Sequence, residues 1–120
     1  KISVLPWGKS DHQFETKQVK DDSFLQGAYG CSADNLFNQI DFDPNYIKID
    51  VDGSELFVIQ GMKDTLKKGH IKSILIEIDT NDEKNKEIFK IFSQYGYRQS
   101  SSCMVYKDEP NIINFIFEKS

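Results

Sequence analysis

The sequence predicts an α/β fold built on a mixed sheet, and three observations carry that expectation. Apolar residues alternate at a period of two through Tyr46 to Val51, then recur at steps of three and four, then run almost unbroken from Ile74 to Ile78. A second helical stretch follows. Turn residues at Asp108-Glu109-Pro110-Asn111 then divide the closing segment into strands. Strand, helix, strand, helix at this spacing requires right-handed crossovers onto one sheet, and the closing hairpin makes its antiparallel edge.

The elements follow in order. Ile47, Ile49 and Val51 give the first clear strand one wholly apolar face, with Tyr46, Lys48 and Asp50 on the other. Val58, Ile59, Met62 and Leu66 are the inward stripe of a helix expected from Ser54 to Lys68. Lys67 and Lys68 fall in its last turn, where the helix dipole favours cations, and Gly69 stands at its C-terminal cap. Lys72 to Asp79, KSILIEID, reads as a strand covered on both faces. Thr80 or Asn81 can cap the second helix, Ile88, Phe89, Ile91, Phe92 and Tyr95 form its apolar side, and Gly96 ends it. Tyr97–Ser102, Cys103–Lys107 and Asn111–Glu118 are the closing strand segments. Residues 1–45 form an irregular lead-in: ISVLP and FETKQVK are strand candidates, FLQGAYG reads as a loop, and Ala33 to Gln39 as a short helix. The whole chain, 1–120, is expected to be one domain.

Composition narrows the function classes. With 120 residues, 38% hydrophobic, 12% aromatic and 28% charged, the chain can bury a core and is not of disordered type. Its net charge is −4 and its lysines are dispersed, which argues against nucleic acid as a partner. No apolar run approaches the ~18 residues of a membrane span, and the first residues lack the pattern of a signal peptide, so the cytoplasm is the default expectation. Cys31 and Cys103 lie far apart with no CxxC, and are expected as free, partly buried thiols; no metal site is expected.

The stretch YIKIDVDGSE, Tyr46 to Glu55, holds the densest chemistry. A calcium loop is rejected because Tyr46 and Asp52 stand where that loop needs glycine and a bidentate glutamate. Asp52 and Glu55 fit a capping box, and Gly53 gives the corner its backbone freedom. Lys48 is expected to form a structural ion pair with Glu77 on the next strand. Asp50 is not explained by capping. It stands at the carboxyl end of a strand, where open α/β sheets bind ligands, and its alternatives are a salt bridge or a site role.

IKIDVDGSELFVIQGMKDTL followed by IKSILIEID resembles the core signature of FkbM-type S-adenosylmethionine-dependent methyltransferases. The resemblance runs from about Tyr46 to Asp79 and gives Gly61 a place where helix propensity alone disfavours glycine. It implies a Rossmann-like class I methyltransferase sheet, of which this chain is similar to the C-terminal half. The implied function is transfer of a methyl group to a hydroxyl of a sugar, lipid or other small molecule, with S-adenosylmethionine as cofactor. The family's main glycine-rich cofactor turn finds no counterpart: Gly27-Ala28-Tyr29-Gly30 lacks the G-x-G step. Asp50 is then the catalytic candidate on the acceptor side, with Asp52, Gly53 and Glu55 supporting the strand-helix corner. The alternative is a non-catalytic, truncated methyltransferase-like module that acts by oligomerisation or protein interaction. The resemblance places the family's first strand beside the one at Tyr46, so without it that edge is bare, and the chain alone either pairs the edge with another copy as a homo-oligomer or is a piece of a longer protein.

Overall fold

In a computed structural model of the chain, residues 30–120 are described, together with two short strands upstream. The chain divides into two compact units, Lys1–Cys31 and Ser32–Ser120. In the first, β1 (Ile2–Ser3) pairs antiparallel with β2 (Leu25–Gln26), Ile2 opposite Gln26 and Ser3 opposite Leu25. ISVLP therefore supplies a strand at its start, and FLQGAYG, expected as a loop, supplies another. A two-residue ladder is too short for periodicity to reveal. FETKQVK, Val4–Pro6 and Gly27–Tyr29 lie outside the described residues.

The second unit opens with α1 (Ala33–Gln39), capped by Ser32, whose hydroxyl accepts from the Asn35 amide at 3.2 Å. β3 (Tyr46–Ile49) follows, then α2 (Glu55–Gln60), α3 (Lys63–Lys68) and β4 (Ser73–Asp79). A single 3₁₀ turn at Glu83–Asn85 leads into α4 (Lys86–Gln94), and β5 (Tyr97–Met104) and β6 (Ile112–Lys119) close the chain. The four strands lie in the order β3-β4-β6-β5. β3 and β4 are parallel, and β6 runs antiparallel to both β4 and β5. The mixed α/β sheet is as expected, and β5 makes the edge on the C-terminal side. The expected segments Tyr97–Ser102 and Cys103–Lys107 are one strand as far as Met104, bent by an irregularity between Gln99 and Ser101, and residues 105–107 belong to the loop before β6 instead.

One face of the sheet is dry. Ile74, Ile76 and Ile78 of β4 and Phe115 and Phe117 of β6 are buried against Ile59, Met62 and Leu66 of the first helical segment and Ile88 and Phe92 of α4. Phe92 and Phe117 meet with ring centroids 4.5 Å apart, and Phe89 stands edge-on to Phe115 at 5.1 Å. The expectation that β4 is covered on both faces is not met among the described residues. Its burial alternates, leaving Leu75, Glu77 and Asp79 half-buried on the second face. The Tyr97 hydroxyl, deep in the dry side, donates to the Ile71 carbonyl at 3.0 Å, and burial pushes its pKa up. Lys119 covers that end: its ammonium lies 4.8 Å from the Tyr97 ring centre and donates to the Tyr95 carbonyl.

Three local expectations are corrected. The helix foreseen from Ser54 to Lys68 breaks at Gly61-Met62, because α1 comes in against it. The Asp34 amide donates to the Gly61 carbonyl at 3.0 Å, and a Cβ on Gly61 would stand 3.2 Å from Cβ of Ser32. The second helix is not capped by Thr80 or Asn81. Asp82 accepts from the Lys84 amide at 3.0 Å instead, and Thr80 turns away to the hairpin. Both thiols are exposed rather than partly buried; Cys103 sits on the edge strand, where no helix covers it. Gly69 (φ +75°) and Gly96 (φ +77°) end α3 and α4 as expected, in a conformation that favours glycine.

The break at Gly61 leaves the start of α3 without a cap of its own, and α1 supplies one. Asp34 accepts from the Thr65 amide (2.8 Å), the Thr65 hydroxyl (2.6 Å) and the Asp64 amide (3.1 Å). Asp34→Ala is therefore expected to lower unfolding stability by about 1–2 kcal/mol, the upper part of the range for lost caps, in urea titrations. A loss below about 0.3 kcal/mol would show that the cap carries no weight.

Candidate functional site

Because β5 is parallel to β3 and β4, the corner after β3, the turn after β4 and the β5–β6 hairpin all lie at one end of the sheet. This is the carboxyl end of the parallel strands, the usual ligand end of an open α/β sheet.

The corner after β3 is made by two successive left-handed residues, Asp52 (φ +49°) and Gly53 (φ +91°). Aspartate tolerates that conformation better than most side chains, and glycine adopts it freely. The capping box is only half formed. Glu55 reaches back, its Oε1 accepting from the Gly53 amide at 3.1 Å and the Val51 amide at 3.4 Å. Asp52 does not cap: Ser54 occupies the cap position with no side-chain bond, since a left-handed Asp52 is not in the extended conformation a cap requires. Glu55 is only 4% exposed, so this carboxylate is a buried structural tie.

Asp50 stands just before the corner, exposed at the end of β3. The expected Lys48–Glu77 pair is replaced by another. Lys48 Nζ lies 2.9 Å from Asp50 Oδ2, with the two side chains 63% and 41% exposed. β3 carries no second neighbour among the described strands, so Lys48 is in water and needs no buried counter-charge. Its pKa is raised, chiefly by the hydrogen bond and charge of Asp50, with smaller contributions from Glu77 and Tyr106. Tyr106, which the sequence places in the strand segment Cys103–Lys107 with no site role, is an exposed residue of the hairpin loop.

Glu77 and Asp79, two residues apart on the same face of β4, are tuned in opposite directions. Burial pushes Glu77 above its ordinary value, and the negative charges of Asp50, Asp52 and Glu55 add to the rise. Asp79 is held below the usual carboxylate range by the Asn111 side chain, which donates to its Oδ1 at 2.9 Å, and by the Asn81 amide at 2.9 Å. The Thr80 amide and hydroxyl both donate to the Asn111 carbonyl, so the end of β4 grips the base of the hairpin. Asp79 thus secures a loop, and Asn111, foreseen only as a turn residue, is its partner. Among the described residues no group of three or more His, Cys, Asp or Glu is placed to hold a metal ion. No helix among them is long and apolar enough to cross a membrane.

The elevated Glu77 has a pH consequence. A carboxyl whose folded pKa is raised favours the folded state fully below its ordinary value of 4.5 and penalises it as pH climbs through the folded pKa. Glu77→Gln is therefore expected to be more stable than the parent at neutral pH, with the advantage shrinking on acidification toward about pH 4. Denaturant unfolding at both pH values measures this, and a gain that grows on acidification contradicts it.

Compared with known proteins, the sequence matches the family described as Methyltransferase FkbM domain over residues 30–99, more than half of its length. No curated protein and no solved structure matches it. The match takes in α1, β3, the Asp52-Gly53 corner, the broken helix, β4 and α4, and so includes Asp50, Asp52, Glu55 and Glu77. The chain belongs to the FkbM methyltransferase family.

Proposed function

We propose that this chain is the C-terminal part of a Rossmann-like, S-adenosylmethionine-dependent methyltransferase domain that methylates a hydroxyl of a small molecule, sugar or lipid. The observation that carries the proposal is the convergence of Asp50 and Glu77 with the Asp52-Gly53-Glu55 corner at the carboxyl end of β3 and β4, inside the segment that matches the family. The strand order supports it. β6, the last strand, runs antiparallel to β4 and β5, in keeping with the class I methyltransferase sheet that the resemblance implies, whose last strand is antiparallel.

Methyl transfer to oxygen requires a hydroxyl held in line with the methyl carbon and a group that takes or orients its proton. Asp50 fits that task as base or orienting group. Lys48 engages its Oδ2, so Oδ1 is the oxygen available to an acceptor hydroxyl. Glu55 and Gly53 keep Asp50 at the mouth of the corner by fixing the turn behind it. Glu77, with its raised pKa, serves as a neighbouring hydrogen-bond donor or acceptor to the same substrate.

S-adenosylmethionine supplies an electrophilic methyl group on a sulfonium cation. A corner lined by Asp50, Asp52 and Glu77 is electrostatically compatible with that cation, and this is the fit the described residues offer. The rival reading, a methyltransferase-like module that works by association, draws its support from the β3 edge.

Calorimetric titration with S-adenosylmethionine is expected to show saturable binding in the micromolar range. Asp50→Asn is expected to keep that binding and to lose transfer of a labelled methyl group to hydroxyl acceptors by about 10²–10⁴-fold, the usual weight of a general base. A titration without heat overturns the enzymatic reading. Transfer undiminished in Asp50→Asn removes Asp50 from the mechanism.

A further inference from the structure

We propose that Asp52-Gly53 is a modification site at which aspartate converts to isoaspartate through a cyclic imide, and that Glu55 is the group that holds this conversion back in the folded chain. The proposal goes beyond methyl transfer and does not rest on it. Asp52-Gly53 is the single Asp-Gly step in the sequence, which has no Asn-Gly step. In such a step the side-chain carboxyl carbon can close a small ring onto the next backbone nitrogen, and glycine sets no Cβ in its way. The two residues are the centre of a tight turn, closed by the Val51 carbonyl, which accepts from the Ser54 amide at 3.3 Å. Their φ angles of +49° and +91° are those of a type I′ turn, in which both central residues are left-handed. Neither lies in β3 or α2, and the Gly53 amide is bonded instead to a side chain, Glu55 Oε1 accepting from it at 3.1 Å.

The conversion runs in two steps. The Gly53 nitrogen attacks the side-chain carboxyl carbon of Asp52, a C–N bond forms, and the hydroxyl of the protonated carboxyl leaves with the Gly53 amide proton as water. Water then adds to one of the two carbonyls of the imide. Opening at the side-chain carbonyl returns aspartate, whereas opening at the main-chain carbonyl breaks the original peptide C–N bond, frees a main-chain carboxylate and routes the backbone through the side chain. No reactant besides water is needed. The imide nitrogen carries no hydrogen, so ring closure removes the donor to Glu55 outright and leaves Oε1 of a buried carboxylate with only the Val51 amide, at 3.4 Å. A buried carboxylate resists that loss, and its charge opposes the ionisation of the Gly53 amide that precedes attack. The bond that shapes the corner is thus also its chemical lock. Isoaspartate adds a methylene to the main chain between β3 and α2, which takes the Gly53 amide off Glu55 and dismantles the turn behind Asp50.

Incubation in heavy-oxygen water tests both parts, because each imide that reopens takes one heavy oxygen into the peptide that holds Asp52. Digestion in ordinary water and mass spectrometry then locate it. In the full chain unfolded in urea, uptake is expected at Asp52 ahead of every other aspartate, with an isoaspartate form of that peptide separating on reversed-phase chromatography. In the folded chain uptake is expected to be slower. Glu55→Gln keeps the size of the side chain without its charge, and is expected to speed uptake in the folded state by about 10–100-fold, the rate equivalent of one charge-assisted hydrogen bond. Asp34→Ala lowers global stability away from the corner and is expected to leave the rate unchanged, a comparison that decides between local release and unfolding even where Glu55→Gln fails to fold. Uptake in the unfolded chain that misses Asp52 or favours another aspartate overturns the modification site. A folded parent that reacts as fast as the unfolded chain, a Glu55→Gln chain with the parent's circular dichroism that reacts no faster, or an Asp34→Ala chain that reacts faster than the parent overturns the lock.

Discussion

A buried carboxylate bonded to two backbone amides is what the carboxyl end of the parallel strands depends on. The chain leaves β3 through Asp52 and Gly53, both left-handed, and that reversal exposes amides with no partner in strand or helix. Glu55 supplies the acceptor for the Val51 and Gly53 amides and opens α2 at the same time, so one side chain joins the strand end to the helix start. Its charge lies at the positive end of that helix. Everything placed by the corner inherits this arrangement: the position of Asp50, the entry of α2 onto the dry face, and the closeness of three carboxylates to Glu77.

The pairing of Glu77 and Asp79 on one face of β4 shows how neighbouring groups of one chemical type acquire separate work. Asp79 meets donors, the Asn111 amide group and the Asn81 backbone, and is held as an anion that anchors the hairpin. Glu77 meets partial burial and other anions, and is driven toward its neutral form. Opposed tuning of adjacent acids is common where one must stay charged for structure and another is exposed to a substrate.

Much of the fold was legible in the sequence. β3 and β4 announce themselves by period and by β-branched content, α1 begins and ends where expected, and Gly69 and Gly96 mark helix ends through their positive φ. The features that escaped are set by contacts distant in sequence. The helix breaks at Gly61 because α1 abuts it, and Asp34 caps α3 from thirty residues away, which no local signal at Lys63 could indicate. Asp52 was assigned the cap because its spacing to Glu55 fits a capping box, but its left-handed backbone decides otherwise. Lys48 was expected to need Glu77 as a buried counter-charge, but the alternation of β3 is silent on whether its polar face is covered, and in water the nearer Asp50 is the partner. Of the candidate site, Asp50 and the corner could be read from the motif. Asn111 and Tyr106 could not, because loop residues are placed by the fold and not by a period.

The order of the strands carries a consequence for how the molecule comes into being. β6 follows every other strand of its sheet in sequence, yet it lies inside the sheet, bonded along its length to β4 on one side and β5 on the other. Until residues 112–119 have left the ribosome, no strand joins β4 to β5 and Phe115 and Phe117 are missing from the core. The edge of β4 that β6 covers therefore stays open until the last residues of this segment are made, and the described sheet is completed in a single late step. Shortening the chain by those residues would remove the middle of the sheet and leave its two flanks unjoined.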